Sequence, residues 1–236
     1  MSAAARARVA VLASGGGSNL GALLAFLAER GAGRAADVVL VAGDRAGAGA
    51  FERAATCRIA THHLADPADG AGMRAQFEAY GVDLVVLAGY LKHVPDAVTR
   101  AYAGRMLNVH PSLLPAFGGP GMYGARVHRA VLAAGACVSG ATVHFVDDAY
   151  DRGPIAAQWP VPVRANDTPE SLAARVLRVE HLLLPRAVEA VAAGRVRVGA
   201  DGRVHSPYEP ADVPFTLPPS ATDDDVASAL DAALRA

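Results

Sequence analysis

The feature that most constrains the fold of this chain is a run of five apolar residues, Leu-Val-Val-Leu-Ala at positions 84–88. A strand without polar positions is buried on both faces, as it is when helices cover both sides of a parallel sheet. Further strands are predicted at residues 9–12, 38–41, 59–64 and 106–109, with helix-like spacing of apolar residues between them. This alternation of strand and helix predicts an α/β fold with a doubly wound, mostly parallel sheet.

The pattern changes after the fifth strand. A loop rich in proline and glycine precedes a predicted helix at residues 127–134 and a pair of strands at 139–146 and 154–163. A long helix should begin after Thr168, whose hydroxyl can cap its first turn. Pro185 should kink this helix, because the ring clashes with the carbonyl four residues earlier.

The C-terminal part has a different composition from the rest of the chain. A small hairpin is predicted around Asp201 and Gly202. A proline-rich stretch follows from residue 206, and a short helix begins near Asp223. The predicted organisation is one domain at residues 8–205 and a proline-rich, acidic C-terminal extension at residues 206–236.

Composition and charge restrict the class of protein. The formal net charge is -1, so nothing favours a nucleic acid or a membrane surface as partner. Cys57 and Cys137 lie too far apart in sequence to form a paired metal-ligand motif or a disulfide framework. The first apolar run is only long enough for a strand, so we expect neither a signal peptide nor a membrane span. The expected location is the cytoplasm.

Three segments follow predicted strands and should therefore lie where ligands bind in such folds, beyond the carboxyl ends of the strands. They are residues 15–19, 89–94 and 108–115. The first is a Gly-Gly-Gly-Ser-Asn turn at a helix start, where backbone N–H groups and the helix dipole suit a phosphate. It lacks the lysine of a phosphate-binding P-loop, and Leu20 stands where a dinucleotide fingerprint has glycine or alanine. The alternative is a tight turn capped by Ser18 or Asn19.

The third segment, Asn-Val-His-Pro-Ser-Leu-Leu-Pro, contains a pair of residues suited to chemistry. Asn108 and His110 are two apart, so in an extended strand their side chains point the same way. The amide can polarise a carbonyl while the imidazole moves protons. The alternative is that both bond local backbone.

Asp151 follows the predicted strand at residues 139–146 and precedes a Gly-Pro pair. Aspartate at such a position commonly serves the turn itself. A metal site formed with His110 and His144 can be imagined, but the compact spacing of metal-ligand motifs is missing, so no metal is expected.

The Gly-Ser-Asn turn, the Asn108 block and the Asp151 segment together resemble the phosphoribosylglycinamide formyltransferase family, over about residues 9–199. The Asn-x-His-Pro-Ser-Leu-Leu-Pro block and the later aspartate are shared by wider 10-formyltetrahydrofolate enzymes, whereas the Gly-Ser-Asn turn points to this branch. The loop at residues 116–127 is longer and richer in glycine than in many relatives.

The resemblance implies a role for each matching position. The catalytic residues would be Asn108, His110 and Asp151. The substrate would be bound by Gly17, Ser18, Asn19, Leu177, Arg178, Val179 and Glu180. The folate pocket would be lined by Arg74, Leu91, Lys92, His93, Val94, Asn108, Asp147, Asp148, Ala149, Tyr150 and Asp151.

The resemblance also implies an activity, with residues 8–205 as the catalytic domain. The formyl group of 10-formyltetrahydrofolate, a consumed co-substrate, would pass to the amine of glycinamide ribonucleotide in purine biosynthesis. The amine would attack the formyl carbon directly, and Asn108 and protonated His110 would stabilise the oxyanion of the tetrahedral intermediate. Asp151 would raise the pKa of His110, and His110 or a water held by Asp151 would move the proton. No metal would be needed, the partners would be these small molecules, and the chain would be a monomer or a homodimer.

Three other functions are compatible with parts of this pattern. A formyltetrahydrofolate deformylase would use the same trio with water as acceptor, but that family carries an extra N-terminal domain. A methionyl-tRNA formyltransferase would carry a long C-terminal RNA-binding domain. A non-catalytic nucleotide-binding module would leave the combination of Asn108, His110 and Asp151 unexplained.

Overall fold

The computed structural model describes residues 5–206 and 222–234. Its strands are β1 (Ala7–Leu12), β2 (Ala36–Gly43), β3 (Ala60–His63), β4 (Leu84–Leu87), β5 (Met106–His110), β6 (Val138–Phe145), β7 (Ile155–Pro162), β8 (Arg197–Val198) and β9 (Val204–His205). Its α-helices are α1 (Ser18–Arg30), α2 (Gly49–Thr56), α3 (Gly70–Ala79), α4 (Asp96–Ala101), α5 (Ala125–Ala133), α6 (Pro169–Ala192) and α7 (Asp223–Leu234).

The main sheet has seven strands in the order β3-β2-β1-β4-β5-β6-β7. The pairs β1–β2, β1–β4, β2–β3 and β4–β5 are parallel, and β6–β7 is antiparallel. This confirms the predicted α/β fold with a mostly parallel sheet. The described residues form two compact units, one of residues 5–108 and 146–148 and one of residues 109–145, 149–206 and 222–234.

The first unit contains the strand and helix alternation that the apolar runs predicted. Every residue of β4 is buried, as expected for a strand covered on both faces. Its core joins alternate strand residues such as Leu12 and Leu40 to aromatic side chains from the helices. Phe77 of α3 meets Tyr102 edge to face, with ring centroids 5.5 Å apart.

In the second unit, β6 and β7 form the predicted strand pair, and α6 is the predicted long helix. Thr168 caps α6 as expected, in a capping box in which the Thr168 and Ser171 side chains each accept a bond from the other's backbone N–H. Pro185 lies inside α6, which continues beyond it to its last residue, Ala192. The predicted hairpin near Asp201 is present as β8 and β9.

The final helix, α7, is present and packs along α6 in the same unit. Its cap is Thr222, whose hydroxyl accepts the Asp225 N–H at 3.2 Å, while Asp225 accepts the Thr222 N–H at 2.7 Å. The predicted proline-rich stretch at residues 207–221 lies outside the described residues. Within the described ranges, no helix combines the length and apolar character that crossing a membrane requires.

Candidate active site

His110 is the last residue of β5 and is buried. Its Nδ1 atom lies 3.5 Å from Oδ2 of Asp151, and its Nε2 atom lies 2.9 Å from the carbonyl oxygen of Phe117. Both ring nitrogens therefore face oxygen acceptors, so the neutral ring can donate to only one of them and the protonated ring to both. Asn108 is half-buried two residues earlier in the same strand.

Asp151 lies in the turn between β6 and β7 and has a positive φ of 55°. Aspartate is one of the few residues other than glycine that enter this left-handed region readily. Its Oδ2 accepts the Gly119 N–H at 2.9 Å in addition to facing His110, and its Oδ1 lies 3.6 Å from Nε2 of His144. The carboxylate therefore links two histidines and a backbone amide.

The pKa of His110 is set by opposing interactions. Burial lowers it and is the largest contribution, the Asp151 carboxylate and the Phe117 carbonyl raise it, and the charge of His144 lowers it. The net direction is downward from the ordinary histidine value of 6.5. The expectation that Asp151 raises the pKa of His110 holds for that one interaction, but burial outweighs it. The neutral imidazole is therefore the main form near pH 7.

The pKa of Asp151 also moves downward. Burial works to raise it and is the largest single influence. The hydrogen bond from His144, the charge of His110 and the Gly119 N–H together outweigh burial, so the net pKa lies below the ordinary 3.8. Asp151 is thus an ionised carboxylate beside a mainly neutral imidazole.

Two glycines shape the loop that binds Asp151. A Cβ atom at Gly118 would lie 2.5 Å from Cδ2 of Leu114 and 3.1 Å from Cβ of Asp151, so both neighbours would have to shift to admit a side chain. Gly119, which donates its N–H to Asp151, has a φ of 98°. The glycine-rich loop thus lets the backbone approach the carboxylate closely.

His144 is a member of this cluster that the sequence-based residue assignment missed. It is buried, with Nδ1 at 2.9 Å from the Phe145 carbonyl oxygen and Nε2 facing Asp151. The available signal was a histidine between Val143 and Phe145, near the end of a mostly apolar strand. Thr142 is also buried, and its hydroxyl donates to the Ser112 carbonyl at 2.6 Å, bracing the loop that follows His110.

The residues considered as metal ligands from the sequence, His110, His144 and Asp151, contact one another and the backbone. The ring nitrogens of His110 and His144 that do not face Asp151 are directed at backbone carbonyls. In the described part of the chain, no group of three or more His, Cys, Asp or Glu side chains has an arrangement that could hold a metal ion.

In the first unit, the glycine turn leads directly into α1. Gly17 is the N-cap and has no side chain that could cap the helix; Ser18 and Asn19 lie inside α1, so the capping role considered for them is wrong. The first turn of α1 also contains no acidic residue. Open N–H groups at the positive end of a helix dipole are what an anion binds.

The three glycines of this turn have different surroundings. A Cβ atom at Gly15 or Gly16 would meet nothing within 4 Å, whereas at Gly17 it would lie 2.7 Å from Cα of Ala50. Arg53 donates from Nε to the Gly16 carbonyl at 2.8 Å and adds a positive charge beside the turn. Gly15 and Gly16 thus border open space, while Gly17 is required by internal packing.

The predicted folate segment after β4 lies beside the glycine turn in the same unit. Ser14 donates its N–H to the Gly89 carbonyl at 3.1 Å, and its hydroxyl accepts the Leu91 N–H at 2.9 Å. Asp148 accepts a hydrogen bond from the Thr99 hydroxyl at 3.0 Å. Sequence order alone predicted that the residue 15–19 and 89–94 segments are neighbours, and this is confirmed.

The other residues assigned to the folate differ in exposure. Arg74 lies on α3 and forms an exposed ion pair with Glu78 at 3.2 Å. Val94 is buried. The remaining members are exposed, namely Lys92, His93, Asp147, Ala149 and Tyr150.

The predicted substrate segment in the second unit forms one turn of α6. Val179 and Glu180 are buried and Leu177 is half-buried. Arg178 is exposed, and its guanidinium contacts the Asp223 carboxylate at the start of α7. A single helical turn thus presents one buried acid and one exposed, paired base.

The sequence profile of the formyl transferase family matches residues 7–188, more than half of the chain. The chain belongs to the formyl transferase family. A relative from Arabidopsis thaliana named phosphoribosylglycinamide formyltransferase, chloroplastic, is 43% identical over 204 residues, which cover 84% of this chain and 69% of that protein. A second relative, the trifunctional purine biosynthetic protein adenosine-3 of Bos taurus, is 39% identical over 205 residues, and the chain spans only 20% of its length.

Solved structures of the formyl transferase family have the same fold. The phosphoribosylglycinamide formyltransferase of Anaplasma phagocytophilum aligns with a TM-score of 0.78 and 33% identity, over 86% of this chain and 96% of that one. A formyltetrahydrofolate deformylase of Pseudomonas syringae aligns with a TM-score of 0.72 and 28% identity, over 86% of this chain and 66% of the deformylase.

Proposed function

We propose that this chain transfers the formyl group of 10-formyltetrahydrofolate to the amine of glycinamide ribonucleotide, a step of purine biosynthesis. The observation that carries the proposal is the buried contact between His110 and the ionised Asp151 in a chain of the formyl transferase family. The Arabidopsis relative named for this activity, 43% identical over 84% of the chain, supports it.

In the first step, the substrate amine attacks the formyl carbon. A carbon–nitrogen bond forms, the carbonyl electrons move to oxygen, and the amine nitrogen becomes positively charged. The Asn108 amide donates a hydrogen bond to the developing oxyanion. His110, mainly neutral because burial lowers its pKa, accepts the proton that leaves the amine.

In the second step, the tetrahedral intermediate collapses. The bond from the former formyl carbon to N10 of the folate breaks, and the carbonyl re-forms on the new amide. His110, now an imidazolium stabilised by Asp151, returns its proton to N10 directly or through a water molecule. The ring is neutral again, and the products are formylglycinamide ribonucleotide and tetrahydrofolate.

Asp151 controls this proton exchange through its position and charge. The Gly119 N–H and the His144 ring hold the carboxylate toward Nδ1 of His110. Its negative charge offsets part of the burial that disfavours the imidazolium. His144 acts through Asp151 and is a positioning residue in this proposal.

The proposed binding roles of the remaining residues are those that the family resemblance implies. The turn of Gly17, Ser18 and Asn19 holds the substrate phosphate, for which the uncapped start of α1 is suited. Glu180 lies near the substrate amine, in the turn that also contains Leu177, Arg178 and Val179. The folate contacts Asn108 and the segments assigned to it, with backbone groups as the main donors and acceptors. These segments are residues 91–94 and 147–151, and Arg74 is also assigned to the folate.

The remaining parts of the proposal concern organisation and location. Residues 8–205 form the catalytic domain and residues 206–236 an extension. The substrates are small molecules, the chain acts as a monomer or homodimer, and its compartment is the cytoplasm. The Arabidopsis relative, by contrast, is named as chloroplastic.

Hydrolysis of the same donor is the second candidate function. The structural match to a deformylase favours it, since water in place of the amine would leave the roles of His110 and Asp151 unchanged. The two candidates differ in the product that receives the formyl carbon.

A labelling experiment separates them. The protein is supplied with 10-formyltetrahydrofolate carrying ¹³C in the formyl group, together with glycinamide ribonucleotide, and the products are followed by NMR. Formyl transfer places the label in an amide of the ribonucleotide. Label that appears only in formate would contradict the proposal and support hydrolysis.

A further inference from the structure

Helix α7 pairs with α6 at two positions that have the same spacing on both helices. Asp223 contacts Arg178, and Oδ1 of Asp231 accepts from Nε of Arg186 at 2.9 Å. Arg178 and Arg186 are eight residues apart on α6, and Asp223 and Asp231 are eight residues apart on α7, about 12 Å along each axis. The two helices therefore run parallel and in register over this length.

The second pair is the stronger anchor. The Arg186 and Asp231 side chains are only 12% and 23% exposed, whereas those of the first pair are 61% and 52% exposed. Arg186 also donates to the Leu182 carbonyl at 3.1 Å, and Leu230, next to Asp231, is buried. A shielded ion pair beside a buried leucine is screened less by solvent than an exposed pair.

The two pairs lie on either side of a weak point in α6. Pro185 has no N–H, so the series of i to i−4 backbone bonds is interrupted within the helix. Such a break lets the two halves of a helix tilt against each other. Arg178 lies about two helical turns before the proline, and Arg186 directly follows it.

We propose that α7 fixes the orientation of the N-terminal half of α6 across the Pro185 break, with Asp231 as the principal positioning residue. The turn that α7 holds contains Glu180, so the inference rests on the proposed function for its effect on substrate. The family match ends at residue 188. Helix α7 lies beyond it, so the contact of α7 with α6 is an addition to the matched region. Loss of the anchor loosens the turn and weakens binding of glycinamide ribonucleotide more than it slows the chemical step.

The test uses the full chain and a double-mutant cycle. Asp231→Asn should raise KM for glycinamide ribonucleotide about fivefold with little change in kcat, the size expected for loss of one ordinary intramolecular hydrogen bond. Asp224→Asn removes the same charge from the exposed first turn of α7 and should leave KM unchanged. Exchanging the charges in Arg186→Asp with Asp231→Arg should restore much of the wild-type KM.

The decisive comparison is with the proline removed. Pro185→Ala supplies the missing N–H, so adding Asp231→Asn to it should raise KM less than about twofold. An equal increase in both backgrounds, or no increase in the wild-type background, would overturn the proposal.

Amide hydrogen exchange provides a readout that does not depend on formyl transfer. Asp231→Asn should accelerate exchange in residues 178–186, and Asp224→Asn should not. Unchanged exchange in that turn would refute the role of α7. Faster exchange in Asp231→Asn, together with a wild-type protein that transfers no formyl group, would instead refute the proposed function and leave the role of α7 intact.

Discussion

The Nδ1 atom of His110 lies 3.5 Å from Oδ2 of Asp151, and both side chains are largely shielded from solvent. The contact places an ionised carboxylate beside an imidazole that burial keeps mainly neutral. A second proton that arrives at the His110 ring is therefore stabilised by a nearby charge, although the resting ring is mainly neutral. Proton exchange between an attacking amine and a departing nitrogen needs a group of this kind.

Replacing His110 tests the proton carrier. His110→Ala should lower kcat for formyl transfer at least ~100-fold, the lower range for loss of a positioned acid–base group. His63→Ala, at an exposed histidine of β3, is the matched control and should behave as wild type. Steady-state kinetics of both variants check this, and near-normal turnover of His110→Ala would refute the mechanism.

Removing the charge of Asp151 should change the pH dependence in a defined direction. The carboxylate raises the pKa of His110, so Asp151→Asn should lower that pKa further. Because the base must be neutral to accept a proton, the rise of kcat/KM with pH should occur at lower pH, and its maximum should fall. A profile of kcat/KM against pH measures both effects. A rise that stays at the wild-type pH or moves upward contradicts the account.

His144 should matter through Asp151 and not by direct contact with substrate. His144→Ala removes one support of the carboxylate and should lower kcat about 10- to 100-fold, the range that small misplacements of a catalytic group produce. KM for both substrates should change little. The result that speaks against a positioning role is an unchanged kcat in a variant with native stability.

The glycine turn offers a matched pair of substitutions. Gly16→Val should fold normally, since no atom lies within 4 Å of the added Cβ, and should raise KM for glycinamide ribonucleotide by crowding its phosphate. Gly17→Val should destabilise the protein, because its Cβ would collide with Ala50 and its φ of 68° is strained for valine. Thermal unfolding and titration with substrate and a folate analogue separate the two effects. Equal weakening of both ligands by Gly16→Val would show that the turn does not bind phosphate.

Local patterns predicted most of the fold. The apolar run at residues 84–88 identified a buried parallel strand, and Thr168 marked the start of α6, because burial and capping depend on near neighbours in sequence. The proximity of Asp151 to His110, 41 positions apart, came from family resemblance and not from spacing. Patterns within a few neighbouring residues cannot predict a contact between residues so far apart in sequence.

Other parts of the site depended on three-dimensional detail. The register of β6 against β7 shifts between Val143 and His144, so simple alternation does not specify the contact of His144 with Asp151. The net pKa of His110 depends on how deeply the ring is buried, which composition does not encode. The collision that forbids a side chain at Gly17 arises from Ala50, on a different helix.

The most direct test of the central claim follows release of tetrahydrofolate from 10-formyltetrahydrofolate, with and without glycinamide ribonucleotide. A formyltransferase should release tetrahydrofolate only when the ribonucleotide is present, in equal amount to the formylated product. Release at the same rate without the ribonucleotide, or no release in its presence, would contradict the account.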